Sequence, residues 1–300
     1  MSMSTLVYEE RRSGILVRVS DFVELTKPRI ATLVLVTVAV AAFVAGWGPP
    51  APLLLVNTLL GTTLVAASAS ALNQWLERDS DARMLRTADR PLPAGRLSSL
   101  EVLLFAAATI VLGAVYLALA VNWRTAALGL LTWFVYVWVY TPLKTRTSAN
   151  TAVGAVAGAL PVLMGWAAVG GPLGLKAFTL FLIVFLWQFP HFMAIAWIYR
   201  EEYAEAGLQM LPVVDPSGRR AGVQAVLSAL ILVPVSLVPA VLELAGGAYF
   251  GWALLLGVGQ LVCAVLFFCR LDETSARRLL RASLIYLPAV LLALVLGPLV

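Results

Sequence analysis

Charge, cysteine and histidine are all scarce in this chain. Charged residues make up 12% of its 300 positions, 61% are hydrophobic, and the mean hydropathy is +0.92. That balance excludes a water-soluble fold and leaves no soluble domain of useful length. The two cysteines, Cys263 and Cys269, share one apolar stretch without CxxC spacing. This argues against a disulfide framework or a structural zinc site, and both are expected to serve as small core hydrophobes. Neither a P-loop nor a GxGxxG fingerprint occurs. Residues 1–22 carry Glu9, Glu10, Arg11 and Arg12 without a sustained apolar core and cleavage site, so no secretory signal or transit peptide is expected. A sequence pI of about 9.5 would suit nucleic acid, but the basic residues lie between apolar spans, where membrane topology accounts for them. No nucleic-acid partner is expected.

What the chain has in plenty is long apolar runs. Nine segments of membrane-crossing length recur at about 30–47, 53–76, 101–120, 124–141, 150–170, 176–199, 221–243, 248–269 and 280–299. The expected fold is all-α, a polytopic bundle of nine transmembrane helices filling residues 23–300 after a cytoplasmic N-terminal segment, 1–22. Apolar positions 15, 19, 22 and 23 predict a short interfacial helix from Ile15 to Leu25, ending before Pro28. Nineteen Lys and Arg fall on the side of the N-terminus against two, Arg124 and Lys176, on the other. That bias places the N-terminus in the cytoplasm and the C-terminus outside. Small residues crowd 66–71 and 154–159, and the Gly154/Gly158 pair predicts close helix packing.

Between Arg29 and Glu77 there is no charged residue, and then the chain reads Asn73-Gln74-Trp75-Leu76-Glu77-Arg78-Asp79-Ser80-Asp81. On one helix Asn73, Glu77 and Asp81 advance about 40° per four-residue step and share a face over about 12 Å. Two carboxylates and an amide oxygen on one stripe suit magnesium, which binds a few carboxylates together with waters and substrate phosphates. The stretch alone equally fits a helix end whose acids pair with Arg78, Arg83 and Arg86.

A second cluster shifts the balance. Of sixteen Asp and Glu, four lie in 77–89 and four in 201–215, each group following an even-numbered span on the same side. They are four helices apart, which suggests a duplicated four-helix unit with its acidic loops facing one another. Ahead of the second lies Trp187-Gln188-Phe189-Pro190-His191-Phe192, with the chain's one histidine. On an ideal helix through His191, Glu202 lies about 20° away, Glu205 about 40° the other way and Tyr199 about 80° away. An ionisable group at His191's depth is a functional candidate; the alternative is a neutral histidine bonded between helices. Cations stand nearby: Arg83, Arg86 and Arg90, then Tyr140-Thr141-Pro142-Leu143-Lys144-Thr145-Arg146-Thr147. Acids and cations together suit a diphosphate, and the apolar bundle suits a prenyl tail. Trp187, Phe189 and Trp197 would line a dry pocket that shelters an allylic cation. A transporter or lipid-binding protein is the reading from another class.

At these residues the chain resembles a known family. The 73–81 run, followed by Arg86-Thr87-Ala88-Asp89-Arg90-Pro91-Leu92-Pro93-Ala94-Gly95, resembles the first acidic motif of the UbiA-type intramembrane prenyltransferases, most nearly their haem O synthase branch. Glu24–Arg29, Tyr140–Thr147 with Asn150-Thr151, Gly165-Trp166, Trp187–Phe192, Ala206-Gly207 and Met210-Leu211-Pro212 extend the similarity over about residues 21–213. The resemblance implies farnesyl transfer from farnesyl diphosphate to haem B, with magnesium as cofactor, in a bacterial inner membrane. Haem A synthase or a terminal oxidase would be the assembly partner. It implies that Asn73, Glu77, Asp81 and Glu202 hold magnesium-diphosphate, with Lys144 beside them in the catalytic group. Arg83, Arg86, Arg90 and Arg146 would bind diphosphate or propionates. Tyr140, Trp187, Tyr199 and Tyr203 would line the substrates, and His191 would face haem as an iron ligand through a neutral imidazole. Glu77 and Glu202 stand where many relatives carry aspartate, which keeps the charge on a longer arm. Thr145 replaces a usual basic residue and leaves Arg146 to compensate. An aromatic or quinone acceptor is the nearest rival.

Overall fold

A computed structural model describes residue 14 and residues 16–296. Among these, nine helices are long and apolar enough to cross a membrane. They are α1 (Pro28–Ala45), α2 (Pro52–Asp81), α3 (Ser99–Ala120), α4 (Trp123–Leu143), α5 (Asn150–Ala168), α6 (Leu175–Ile198), α7 (Arg219–Val241), α8 (Ala248–Arg270) and α9 (Glu273–Leu296). The protein is a multi-pass, all-α membrane protein. Residues 16–25 are also helical, as the apolar spacing predicts. The charge run Glu9–Arg12 lies outside the described residues.

Local chemistry sets the helix starts. Pro opens α1 and α2, where its missing N–H costs nothing. Ser98 and Glu101 form a reciprocal capping box on α3, and Asn122 caps α4 through the Thr125 N–H. The apolar run ends near residue 76, but the helix runs on to Asp81, about 45 Å in all, carrying the polar run as a rigid extension, as the shared face of Asn73, Glu77 and Asp81 requires. The last helix likewise begins at Glu273, ahead of its apolar run, because Asp272 accepts from the Ser275 N–H and caps the polar first turns.

Neighbouring spans pack in order, and α6 to α9 close into a four-helix ring through an α6–α9 contact. Helices α2 to α5 form the other group, with α1 wedged against α2, α5 and α9. The acidic clusters therefore follow the first helix of each group. Helix α5 is central, with 78% of its apolar window buried against 28% for α3 and α8. Outward residues such as Leu104, Leu112, Leu119, Leu255 and Ile285 are exposed and apolar, the surface that lipid requires. Cys269 is among the exposed residues and Cys263 is half-buried, so the expected core role fails for Cys269.

Close approaches explain the small residues of α5. A Cβ on Gly154 would stand 2.6 Å from the Tyr140 ring, one on Gly158 2.2 Å from Gln188 Oε1, and one on Gly165 2.1 Å from the Val38 carbonyl. The expected packing face thus receives specific side chains as well as a helix backbone.

Candidate active site

The extended end of α2 presents Asn73, Glu77 and Asp81 along one buried stripe, and each has a cation. Lys27 Nζ donates to Asn73 Oδ1 at 2.5 Å. Lys144 Nζ lies 2.6 Å from Glu77 Oε1, with the two side chains only 14% and 12% exposed. Arg90 donates to Asp81 Oδ2 at 2.6 Å, and that carboxylate is 1% exposed. The second amide atom of Asn73, Nδ2, donates to Thr141 Oγ1 at 3.0 Å, and Thr141 in turn donates to the Tyr136 carbonyl at 2.8 Å.

Helix α4 supplies these partners through an irregularity. Its residues Val135–Tyr140 wind as a π-helix, which brings the Tyr136 and Tyr140 rings to 5.4 Å with their planes tilted by 37° and brings Thr141 to Asn73. Lys144 follows at the helix end, 4.7 Å from the Tyr140 ring centre. Its backbone carbonyl accepts from the Gln209 N–H at 2.6 Å, and Asn150 Nδ2 donates to the Gln209 carbonyl at 3.1 Å, tying this loop to the one after α6.

Lys27 is a residue that sequence reasoning left out of the site. It joins the 16–25 helix to α1 and adopts a left-handed conformation, φ 52° and ψ 61°, which a lysine holds only under constraint. Its place before Pro28 was the available signal, since the residue before proline is pushed out of the right-handed helical region. Burial, reinforced by the charge of Arg90, pushes its ammonium down to about 7. Lys144 behaves oppositely. Burial is the largest single influence and lowers it, yet the attraction of Glu77, Tyr140 and Tyr136 together holds it well above the ordinary lysine value.

The second acidic cluster meets the first across a small core of Met84, Ala196, Tyr203, Ala206 and Leu208. Arg86 spans the junction. It donates to Tyr203 Oη at 3.2 Å and lies 4.6 Å from the Tyr199 ring centre. The two acidic loops do face one another. The continuous helix expected from His191 to Glu205 does not form, because α6 stops at Ile198 and restarts as Arg200–Glu205. The break is at Tyr199, where Arg200 caps the Trp197 carbonyl at 2.8 Å; Pro190 sits inside an unbroken α6. Glu202 remains half-buried toward the junction, whereas Glu205 is exposed.

Asp81 Oδ1 and Glu202 Oε2 are buried and have no hydrogen-bond partner among the described residues. Orphaned carboxylate oxygens are costly unless a cation completes them, so the donor set fits a hard divalent ion. No three His, Cys, Asp or Glu among the described residues converge into a ready cage.

Other expected residues lie elsewhere. Arg83 is exposed and donates to the Asp79 carbonyl, and Arg146 is exposed at the loop. Trp197 packs 6.0 Å from Phe267 and against Gly218 in the core between helices. Phe189 meets Phe185 edge-on at 5.1 Å. Trp187 stacks on His191 at 4.9 Å, and His191 Nδ1 lies 2.9 Å from Ser283 Oγ on α9.

Among the described residues, fold and site together define an integral membrane protein of nine spans with an ionic mouth of paired acids and cations. The profile of the UbiA prenyltransferase family matches residues 34–294, and the chain belongs to that family. It is 45% identical over 282 residues to a protoheme IX farnesyltransferase from Solibacter usitatus, covering 90% of this chain and 96% of that protein. Among solved structures, a digeranylgeranylglyceryl phosphate synthase superposes with a TM-score of 0.80 at 17% identity, covering 94% of this chain and 98% of the other. A UbiA homologue from Archaeoglobus fulgidus bound to DMAPP and Mg2+ superposes with a TM-score of 0.68 at 18% identity, covering 91% and 99%.

Proposed function

We propose that this chain transfers a farnesyl group from farnesyl diphosphate to a vinyl group of haem B, giving haem O and diphosphate. The observation that carries the reading is the buried stripe at the end of α2, where Asp81 and, across the junction, Glu202 keep carboxylate oxygens unpartnered beside four cations. The 45% identical relative supports the choice of substrates.

Asn73, Glu77, Asp81 and Glu202 would hold magnesium, which would supply positive charge to offset the charge of the diphosphate leaving group. Lys27, Arg86, Arg90 and Lys144 exchange their present partners for phosphate oxygens, and stabilise the charge that gathers on the leaving group. The farnesyl tail lies among the apolar spans, where water is excluded from the allylic cation. The C1–O bond breaks with its electron pair going to diphosphate. The vinyl terminal carbon then gives its π pair to C1, and the cation left beside the porphyrin takes hydroxide from water, whose remaining proton goes to solvent. His191 faces the haem.

In the same reading residues 23–300 form one intramembrane domain of a bacterial inner-membrane protein after a cytoplasmic segment, 1–22. Nineteen Lys and Arg on the side of the acidic loops against two opposite support a cytoplasmic site and N-terminus and an external C-terminus. Haem A synthase or a terminal oxidase is the partner that would accept the product.

Membranes carrying the protein, given haem B, farnesyl diphosphate and magnesium, are expected to yield a more hydrophobic haem on chromatography, with one diphosphate released per haem converted. Prenylation of a phenolic or quinone precursor alone would overturn the acceptor. His191→Ala is expected to weaken haem B binding about tenfold or more, read by absorbance titration.

A further inference from the structure

We infer that Ser283 on α9 is a positioning residue that fixes the protonation form of His191, so that the imidazole carries its proton on Nδ1 and presents Nε2 as a bare lone pair. Two short contacts converge on one hydroxyl. Ser283 Oγ lies 2.7 Å from the Leu280 carbonyl and 2.9 Å from His191 Nδ1. A serine hydroxyl has one proton to give. If it went to Nδ1, the hydroxyl and carbonyl oxygens of Ser283 and Leu280 would face each other at 2.7 Å with no proton between them. If it goes to the carbonyl, a common bond for serine in a helix, both contacts are satisfied once Nδ1–H donates to Oγ. Of the two neutral tautomers, only that one places a proton in each contact.

The same serine anchors the ring's neighbour. Trp187, one turn before His191, donates its Nε1–H to the Ser283 carbonyl at 2.7 Å and stacks on the imidazole with planes 23° apart. Ser283 is fully buried, so water does not compete for either bond. One residue of α9 thereby sets both the plane and the tautomer of a side chain on α6. An acceptor held at Nδ1–H is how a protein aims the other imidazole nitrogen at iron and raises its basicity. That use rests on the proposed haem reading; the tautomer does not.

His191 is the one histidine in the chain, so protein labelled with nitrogen-15 histidine gives a single imidazole spectrum. In unaltered protein without haem, Nδ1 is expected as the protonated nitrogen and Nε2 as the bare one. Ser283→Ala is expected to release the ring toward the Nε2–H form, and Ser283→Thr, which restores a hydroxyl, to recover the original spectrum. A proton on Nε2 in the unaltered protein, or an unchanged spectrum in Ser283→Ala, overturns the inference. Haem B titrated into the same samples is expected to bind about tenfold more weakly to Ser283→Ala, with recovery in Ser283→Thr. Equal haem affinities in all three would overturn the positioning role. Absence of haem binding by the unaltered protein would overturn the haem reading, while the haem-free spectrum still decides the tautomer.

Discussion

In the first acidic cluster Glu77 and Asp81, with Asn73 one turn earlier, each have a dedicated cation on the inner face of one rigid helix, while Asp79 and Asp89 are exposed and pair with Arg78 and Arg96. In the second, Glu202 alone turns toward the site. Glu201 is exposed and paired with Arg200, Glu205 is exposed, and Asp215 caps the turn before α7. The bonds to Asp215 from Ser217 and the Arg220 N–H hold its carboxyl below the usual range. Two clusters of four acids therefore contribute unequally, because helix continuity carries the first stripe inward while the break at Tyr199 swings most of the second toward solvent.

That inequality can be broken by substitution. Asp81→Ala should have the largest effect, a fall in turnover of about 10²–10³-fold in the haem conversion assay, because it removes a buried ligand and leaves Arg90 unpaired. Full activity would show that the α2 stripe is not the ligand face. Glu202→Gln keeps shape and loses charge. We expect a loss of about 10–100-fold that excess magnesium partly restores, measured as rate against metal concentration. A loss as deep as that of Asp81→Ala, with no response to metal, would mean that the two clusters contribute alike. Glu201→Gln and Glu205→Gln should leave turnover within about twofold and stability within about 0.5 kcal/mol, read by the same assay and by thermal unfolding in detergent. A large loss from either would mean that the short Arg200–Glu205 helix rotates inward when substrate binds.

Most of the fold was legible in the sequence because lipid imposes a simple rule. A chain in hydrocarbon must satisfy its backbone within each helix, so apolar length alone marks the spans. The Asn73–Asp81 stripe was legible for a related reason, since a four-residue spacing fixes one face wherever the helix persists. The second cluster was misjudged because its projection assumed an unbroken helix from His191 to Glu205. The break depends on Arg200 reaching the Trp197 carbonyl, a side-chain choice that periodicity does not encode. Arg83 and Trp197 look like site residues by type and position, yet one turns to a local carbonyl and the other into the core between helices.

The sequence by itself determined the membrane-spanning bundle and the acidic face of α2, because both follow from local periodicity and from the cost of exposing polar groups to lipid. Tertiary structure decided which cation pairs with which side chain of that face, and added Lys27 to them. Lys27 comes from before α1 and Lys144 from the end of α4, each brought to the stripe by packing between distant elements. It also placed Ser283 of α9 against His191 of α6, a contact across 92 residues that no local pattern contains.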